Sequence, residues 1–148
     1  MCTGNTCRSP MAASIFNSRR PDRDTENGIE AQSRGLVVLF PEPYNPKVIN
    51  VLKENGIEVS GENARQLTED DFGEDTLVLV MTEEQKRRVL ADYENAQNVY
   101  TVGEFTGEIE DIPDPYGGTI DDYAQCFINM AYFINRVIQI IYNTEENK

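Results

Sequence analysis

The chain has 148 residues, a length typical of one domain with a single hydrophobic core. Its net charge of −13 argues against nucleic acid as a partner, because phosphate backbones are bound through clustered lysine and arginine. No apolar run is long enough to span a membrane, so we expect no membrane partner. The three cysteines, an odd number, fit a reducing cytoplasm better than a secreted disulfide framework.

The sequence contains no histidine. This absence excludes a Ser-His-Asp triad, a Cys-His dyad and every zinc site that needs a histidine ligand. A catalytic cysteine in this chain must therefore be activated by backbone dipoles and by arginine. Any proton donor must be a carboxylic acid or a tyrosine.

The first informative segment reads CTGNTCRSP, from residue 2 to residue 10. Gly4 lets the loop adopt a conformation in which successive amide groups point at one anion, and Pro10 suits the first turn of a helix whose N-terminus adds further donors. Arg8 presents a planar fork of donors to two phosphate oxygens. The same positive surroundings stabilise the thiolate of Cys2, which predicts a phosphate loop with a sulfur nucleophile. The alternative is a turn with a structural cysteine.

Farther along the chain, the periodicity alternates between helical and strand-like segments. The predicted helices span residues 10–19, 46 to about 55, 83 to about 93 and 120 to about 142, and the predicted strands span 29–33, 76–81 and 98–102. Asn45, Thr82 and Thr119 are the predicted N-caps of the last three helices. The apolar stripe of the last helix is interpreted as core, not as a cofactor site, and comprises Ile120, Tyr123, Phe127, Met130, Ile134, Val137, Ile138 and Ile141.

This alternation indicates an α/β fold in which helices cover both faces of a parallel sheet. A phosphate loop in such a fold follows a strand, yet only Met1 precedes Cys2. We therefore expect the first strand to be missing from this sequence, with Met1 as its last residue. The alternative is that another segment or another chain supplies that strand. We expect a monomer, or an oligomer if the strand is supplied in trans.

A second informative segment, DIPDPYGG, covers residues 111–118. Its prolines fix Asp114 in a rigid turn, and the glycine pair gives the backbone freedom directly afterwards. A rigid carboxylic acid beside Tyr116 suits protonation of a leaving group. Taken alone, the segment reads more simply as a solvated acidic turn before a helix.

Together, the two segments resemble the low-molecular-weight protein tyrosine phosphatase family, and residues 64–67 and 77–82 look like that family too. The resemblance implies one phosphatase domain over residues 1–148, with a three-layer α/β/α arrangement around a parallel sheet of about four strands. It implies a cysteine-dependent protein phosphatase that acts on phosphorylated proteins through a phosphocysteine, without a cofactor or a metal ion.

The resemblance also assigns the site residues. Cys2 would be the nucleophile, Arg8 the phosphate clamp and Asp114 the general acid and base. Phosphate binding and loop support would come from Thr3, Gly4, Asn5, Thr6, Cys7 and Ser9. Within that set, Ser9 would hydrogen-bond the thiolate and Asn5 would order the loop, while Tyr116 would form an aromatic wall of the substrate pocket.

The side chain that carries the phosphate is indicated by Thr6. Phosphotyrosine enzymes of the family commonly have an aliphatic β-branched residue there, whereas threonine resembles the branch that acts on protein arginine. The hydroxyl suits a polar phosphoguanidinium, which favours phosphoarginine. Tyr116, which is usual in phosphotyrosine enzymes, keeps phosphotyrosine as the alternative.

Two further functions are minor alternatives, an arsenate reductase of related fold and a non-catalytic phosphate-binding module. The reductase needs a further cysteine on a mobile segment, whereas Cys126 lies in a helical stripe. The binding module would have lost the nucleophile or the acid. We also predict that Cys7 forms a reversible disulfide with Cys2 under oxidation; the alternative is that Cys7 only packs under the loop.

Overall fold

The computed structural model describes residue 4 and residues 7–22, 28–108 and 112–146. Within these residues, the helices are α1 (Arg8–Arg19), α2 (Pro46–Glu54), α3 (Glu83–Asp92), α4 (Val102–Thr106) and α5 (Ile120–Glu146). The strands are β1 (Val78–Val80) and β2 (Val99–Thr101), and a single 3-10 turn covers Glu69–Asp71. No helix in this part of the chain has the length and the apolarity needed to cross a membrane.

Strands β1 and β2 pair in parallel, with Val78 opposite Val99, and α3 connects them. Side chains alternate between the two faces of a strand, so Val78 and Val80 pack with Val89 of α3 while Leu79 packs against the opposite cluster. Helix α3 therefore covers one face of the sheet. The larger core lies on the other face, which confirms the predicted α/β architecture with a small parallel sheet.

The larger core is built from α1, α2 and α5. Met11, Leu52 and Met130 are fully buried within it, and burial of each such side chain stabilises the fold by about 2 kcal/mol. The predicted stripe of α5 is buried from Tyr123 to Ile138, and Ile141 is partly buried. The prediction was wrong for one residue of the stripe. Ile120 is 71% exposed, because it is the first residue of α5 and lies outside the core cluster.

The predicted helix starts at Asn45 and Thr82 are confirmed. Asn45 Oδ1 accepts a hydrogen bond of 2.9 Å from the Lys47 amide, and Thr82 and Gln85 form a reciprocal capping box. Helix α2 ends as predicted, because Gly56 adopts φ = 71°, a conformation that favours glycine. Local hydrogen bonding thus determines where these helices begin and end.

The strand predicted over residues 29–33 was wrong. Its backbone hydrogen bonds go to side chains instead of a neighbouring strand: Asn17 Nδ2 of α1 donates to the Ala31 carbonyl at 2.9 Å, the Ala31 amide donates to Asn17 Oδ1 at 2.8 Å, and the Ile29 amide donates to Asp22 Oδ2. The extended chain then makes one isolated bridge, between Gly35 and Gln66. Of the about four strands predicted, the described residues contain β1 and β2. The expected first strand would precede Cys2, outside the residues described.

Helix α4 was not predicted. Thr101 Oγ1 accepts from the Glu104 amide, and Glu104 Oε1 accepts from the Thr101 amide, both at 2.9 Å. The sequence contains this capping box, but the strand predicted over residues 98–102 included Val102, which is the first residue of α4.

Candidate active site

The structure places the predicted site residues in two groups. Cys7, Arg8 and Ser9 are buried at the start of α1, and Gly4 is exposed before them. Asp114 and Tyr116 lie in the segment that precedes α5. The predicted nucleophile Cys2 falls outside the described residues, and so do Thr3, Asn5 and Thr6.

Arg8 joins the two groups. Its side chain is buried, and its Nη1 donates a hydrogen bond of 2.8 Å to the Ile112 carbonyl, directly before the acidic segment. Its Nη2 lies 3.5 Å from Asp114 Oδ2. Its Nε is buried and has no hydrogen-bond partner among the described residues. A buried guanidinium N–H without an acceptor is costly, so this atom suits an oxyanion ligand.

Asp114 is presented by a tight turn. Its Oδ1 accepts a hydrogen bond of 3.0 Å from the Tyr116 amide, and the Gly118 amide donates to the Pro115 carbonyl at 2.8 Å. Gly117 has φ = 80°, as the third residue of a type II turn requires. We call residues 114–118 the acid turn. The Asp114 side chain is 49% exposed, so its carboxyl group has access to a substrate.

The end of the acid turn leads directly into α5. Thr119 and Asp122 form the predicted cap, in which the Thr119 amide donates to Asp122 Oδ2 at 2.8 Å. A Cβ at Gly118 would lie 2.6 Å from that same carboxylate oxygen, so only glycine fits here without a rearrangement. The glycine pair therefore serves both the turn and the helix start.

Cys7 contacts a tyrosine that sequence reasoning assigned only to the core. Its Sγ lies 3.7 Å from Tyr123 Oη, which also accepts a hydrogen bond of 3.1 Å from Asn45 Nδ2. Burial, and next the hydrogen bond to Cys7, raise the pKa of Tyr123 far above its usual range, so its hydroxyl stays protonated. One feature of the sequence indicated this contact, namely that Tyr123 carries a polar hydroxyl within an otherwise apolar stripe.

Ser9 is buried, and its Oγ donates to the Arg34 carbonyl at 3.3 Å. The bond predicted between Ser9 and the Cys2 thiolate concerns an atom outside the described residues and stays a prediction. Across the described part of the chain, no cluster of three cysteine, aspartate or glutamate side chains is placed to hold a metal ion.

The family model and the curated relatives that match this chain agree with one another. The family model described as low molecular weight phosphotyrosine protein phosphatase matches residues 1–142. The low molecular weight protein-tyrosine-phosphatase PtpB of Staphylococcus haemolyticus is 38% identical over 137 residues, which cover 93% of this chain and 94% of the relative. The protein-arginine-phosphatase of Geobacillus stearothermophilus is 32% identical over 141 residues, which cover 94% and 91%.

Solved structures agree in fold. The low molecular weight protein tyrosine phosphatase of T. tengcongensis superposes with a TM-score of 0.84 at 36% identity, over 93% of this chain and 94% of that chain. The YwlE arginine phosphatase of Geobacillus stearothermophilus superposes with a TM-score of 0.85 at 31% identity, over 99% and 92%.

Proposed function

We propose, from the premise that this chain belongs to the low molecular weight phosphotyrosine protein phosphatase family, that it hydrolyses phosphorylated side chains through a phosphocysteine at Cys2. The chain is a hydrolase, a protein phosphatase, and its substrates are phosphorylated proteins. The observation that carries the proposal is the position of Arg8. Its buried guanidinium has an Nε without an acceptor among the described residues, beside the exposed carboxyl group of Asp114.

In the first step, the Cys2 thiolate attacks phosphorus. A sulfur–phosphorus bond forms as the bond from phosphorus to the leaving oxygen or nitrogen breaks. Arg8 and the loop amides hold the phosphoryl oxygens, while protonated Asp114 gives its proton to the leaving atom. Donors that are already oriented stabilise the developing charge without reorganising during the reaction.

In the second step, water hydrolyses the phosphocysteine. Asp114, now ionised, takes a proton from water as the water oxygen attacks phosphorus. The phosphorus–sulfur bond breaks, the electron pair returns to sulfur, and inorganic phosphate leaves. The partial exposure of Asp114 supports this role, because the same carboxyl group must meet first the leaving group and then water.

We infer that the preferred substrate is phosphoarginine in proteins. Two sequence features support this choice, namely Thr6 in the loop and the Asp-Pro-aromatic-Gly-Gly form of the acid turn. The similarity to the arginine phosphatase of Geobacillus stearothermophilus supports it as well. A threonine hydroxyl offers a polar partner to the phosphoguanidinium, where an aliphatic group would leave its N–H groups unpaired.

Phosphotyrosine is the second candidate, and Tyr116 favours it. The Tyr116 side chain is 75% exposed beside Asp114, where its ring is available to stack on an aromatic substrate. The relative from Staphylococcus haemolyticus carries the tyrosine phosphatase name. An arsenate reductase is disfavoured, because Cys126 is buried within α5.

The deciding experiment compares phosphate release from matched phosphoarginine and phosphotyrosine peptides, in wild type and in Thr6→Val. Valine keeps the β-branched shape and removes the hydroxyl. We expect wild type to favour phosphoarginine by about tenfold or more in kcat/KM, and Thr6→Val to shift the ratio toward phosphotyrosine. A wild-type preference for phosphotyrosine would assign the second candidate. If neither peptide nor p-nitrophenyl phosphate released phosphate, the proposed enzyme activity would be wrong and the protein would be a non-catalytic phosphate-binding module.

A further inference from the structure

Lys47 reaches from α2 to the acid turn. Its Nζ donates a hydrogen bond of 2.8 Å to the Gly118 carbonyl. Its backbone is held at the start of α2, because the Lys47 amide donates to Asn45 Oδ1 at 2.9 Å. A lysine near a helix N-terminus opposes the helix dipole, so the position is not explained by helix stability.

The ammonium group has a second contact that holds it in place. Nζ lies 5.4 Å from the ring centroid of Tyr123, a distance suited to a cation–π interaction. The Tyr123 hydroxyl is in turn held by Asn45 and lies beside Cys7, the residue that directly precedes Arg8. Lys47 thus contacts the acid turn, and its ammonium group packs on Tyr123, whose hydroxyl lies beside Cys7 of the predicted phosphate loop.

The acid turn is held by the burial of Pro115 and by two polar contacts with side chains from other parts of the chain. Among the described residues, side chains from outside the turn bond to it at two points, Arg8 to Asp114 and Lys47 to Gly118. In the proposed reaction, Arg8 binds the phosphoryl oxygens and its contact with Asp114 is replaced. Lys47 then remains as the polar side-chain contact that orients the Gly118 end of the turn, beside the buried Pro115.

We propose that Lys47 is a positioning residue that sets the Asp114 carboxyl group for proton transfer, through its hydrogen bond to Gly118. The inference deepens the proposed function and rests on it. Because Lys47 acts through Asp114, its loss matters most for substrates that need a proton to leave. A purely structural lysine would instead affect all substrates alike.

The test uses Lys47→Met, which keeps a long unbranched side chain but cannot donate. We compare kcat/KM for phenyl phosphate, whose phenol leaves poorly, with that for p-nitrophenyl phosphate, whose phenol leaves well. We expect kcat/KM to fall about tenfold for phenyl phosphate and less than about threefold for p-nitrophenyl phosphate. The ratio of the two values within one variant does not depend on the fraction of folded enzyme.

Two control variants test whether the effect is specific to hydrogen-bond donation at position 47. Lys47→Arg can still donate to Gly118 and should recover most of the phenyl phosphate activity. Lys53→Met makes the same chemical change at an exposed lysine in the last turn of α2 and should leave the ratio unchanged. Equal losses for both substrates in Lys47→Met, or no rescue by arginine, would overturn the proposal.

A double-mutant cycle tests whether Lys47 acts through Asp114. Once Asp114→Asn has removed the proton donor, adding Lys47→Met should lower kcat/KM for phenyl phosphate by less than about twofold. A further tenfold loss in that background would contradict the proposal. The proposed function fails separately, if the wild type releases no phosphate or if Cys2→Ser remains active.

Discussion

The guanidinium of Arg8 and the carboxylate of Asp114 approach to 3.5 Å, although the two residues lie far apart in the sequence. In this arrangement, the group suited to bind phosphate is paired with the group suited to donate a proton. In the proposed mechanism, binding of a phosphoryl group to Arg8 would replace that pairing and leave Asp114 facing the leaving atom.

The proposed role of Cys2 as the nucleophile predicts that Cys2→Ser abolishes turnover while anion binding persists. The hydroxyl is a much weaker nucleophile at neutral pH, whereas Arg8 and the loop amides do not depend on sulfur. Phosphate release from p-nitrophenyl phosphate measures turnover, and calorimetry with inorganic phosphate measures binding. Cys126→Ser, the matched change in α5, should remain active. Near-normal turnover by Cys2→Ser would exclude the mechanism.

The geometry of Arg8 predicts a large effect for Arg8→Lys. Lysine keeps the charge but loses the planar fork that bonds Ile112 and reaches Asp114 at the same time. We expect kcat/KM for p-nitrophenyl phosphate to fall by about 100-fold or more. Arg87→Lys, at an exposed position of α3, is the control and should behave as wild type. A loss below about threefold would show that the charge alone suffices.

The pair of loop cysteines predicts reversible inactivation by peroxide. A thiolate at Cys2 is the first group oxidised, and a disulfide with Cys7 would protect it from irreversible oxidation. Cys7 is buried, and its Sγ lies beside the Tyr123 hydroxyl. Activity after peroxide and then dithiothreitol should return in wild type but not in Cys7→Ser. Equal recovery in both proteins would mean that Cys7 only packs under the loop.

Asp22 predicts a dependence of stability on pH. Burial raises the pKa of this carboxyl group, but hydrogen bonds from Tyr142 and from the Ile29 amide, together with Arg20, outweigh burial and lower the pKa overall. A lowered pKa stabilises the fold above the pKa of the unfolded chain, about 4, and this stabilisation is lost as the pH falls through the folded-state value.

Replacing Asp22 should therefore matter at neutral pH and matter less in acid. We expect Asp22→Asn to lower the free energy of unfolding by about 1 kcal/mol at pH 7, measured by urea denaturation. The difference from wild type should shrink toward pH 3, where the wild-type carboxyl group also becomes protonated. Tyr142→Phe removes one of the hydrogen bonds and should show the same trend. A constant difference across this range would contradict the assignment.

Local patterns in the sequence determined a large part of the fold. The caps at Asn45 and Thr82 were correctly predicted, because a capping hydrogen bond joins residues two or three positions apart. The buried face of α5 was predicted because helical periodicity depends only on spacing. The family was also recognisable from two short segments, whose residue types and spacing match it.

Tertiary structure decided the rest. The segment around Ala31 alternates apolar and polar residues as a strand does, yet its backbone bonds to the Asn17 side chain, a partner that no local pattern predicts. The sequence predicted Tyr123 only as a core residue, whereas in the structure its hydroxyl contacts Cys7 and Asn45. The contact of Lys47 with Gly118 likewise depends on how α2 packs beside α5. Such contacts join residues distant in the chain, and they form only when the packed core closes the loops between them.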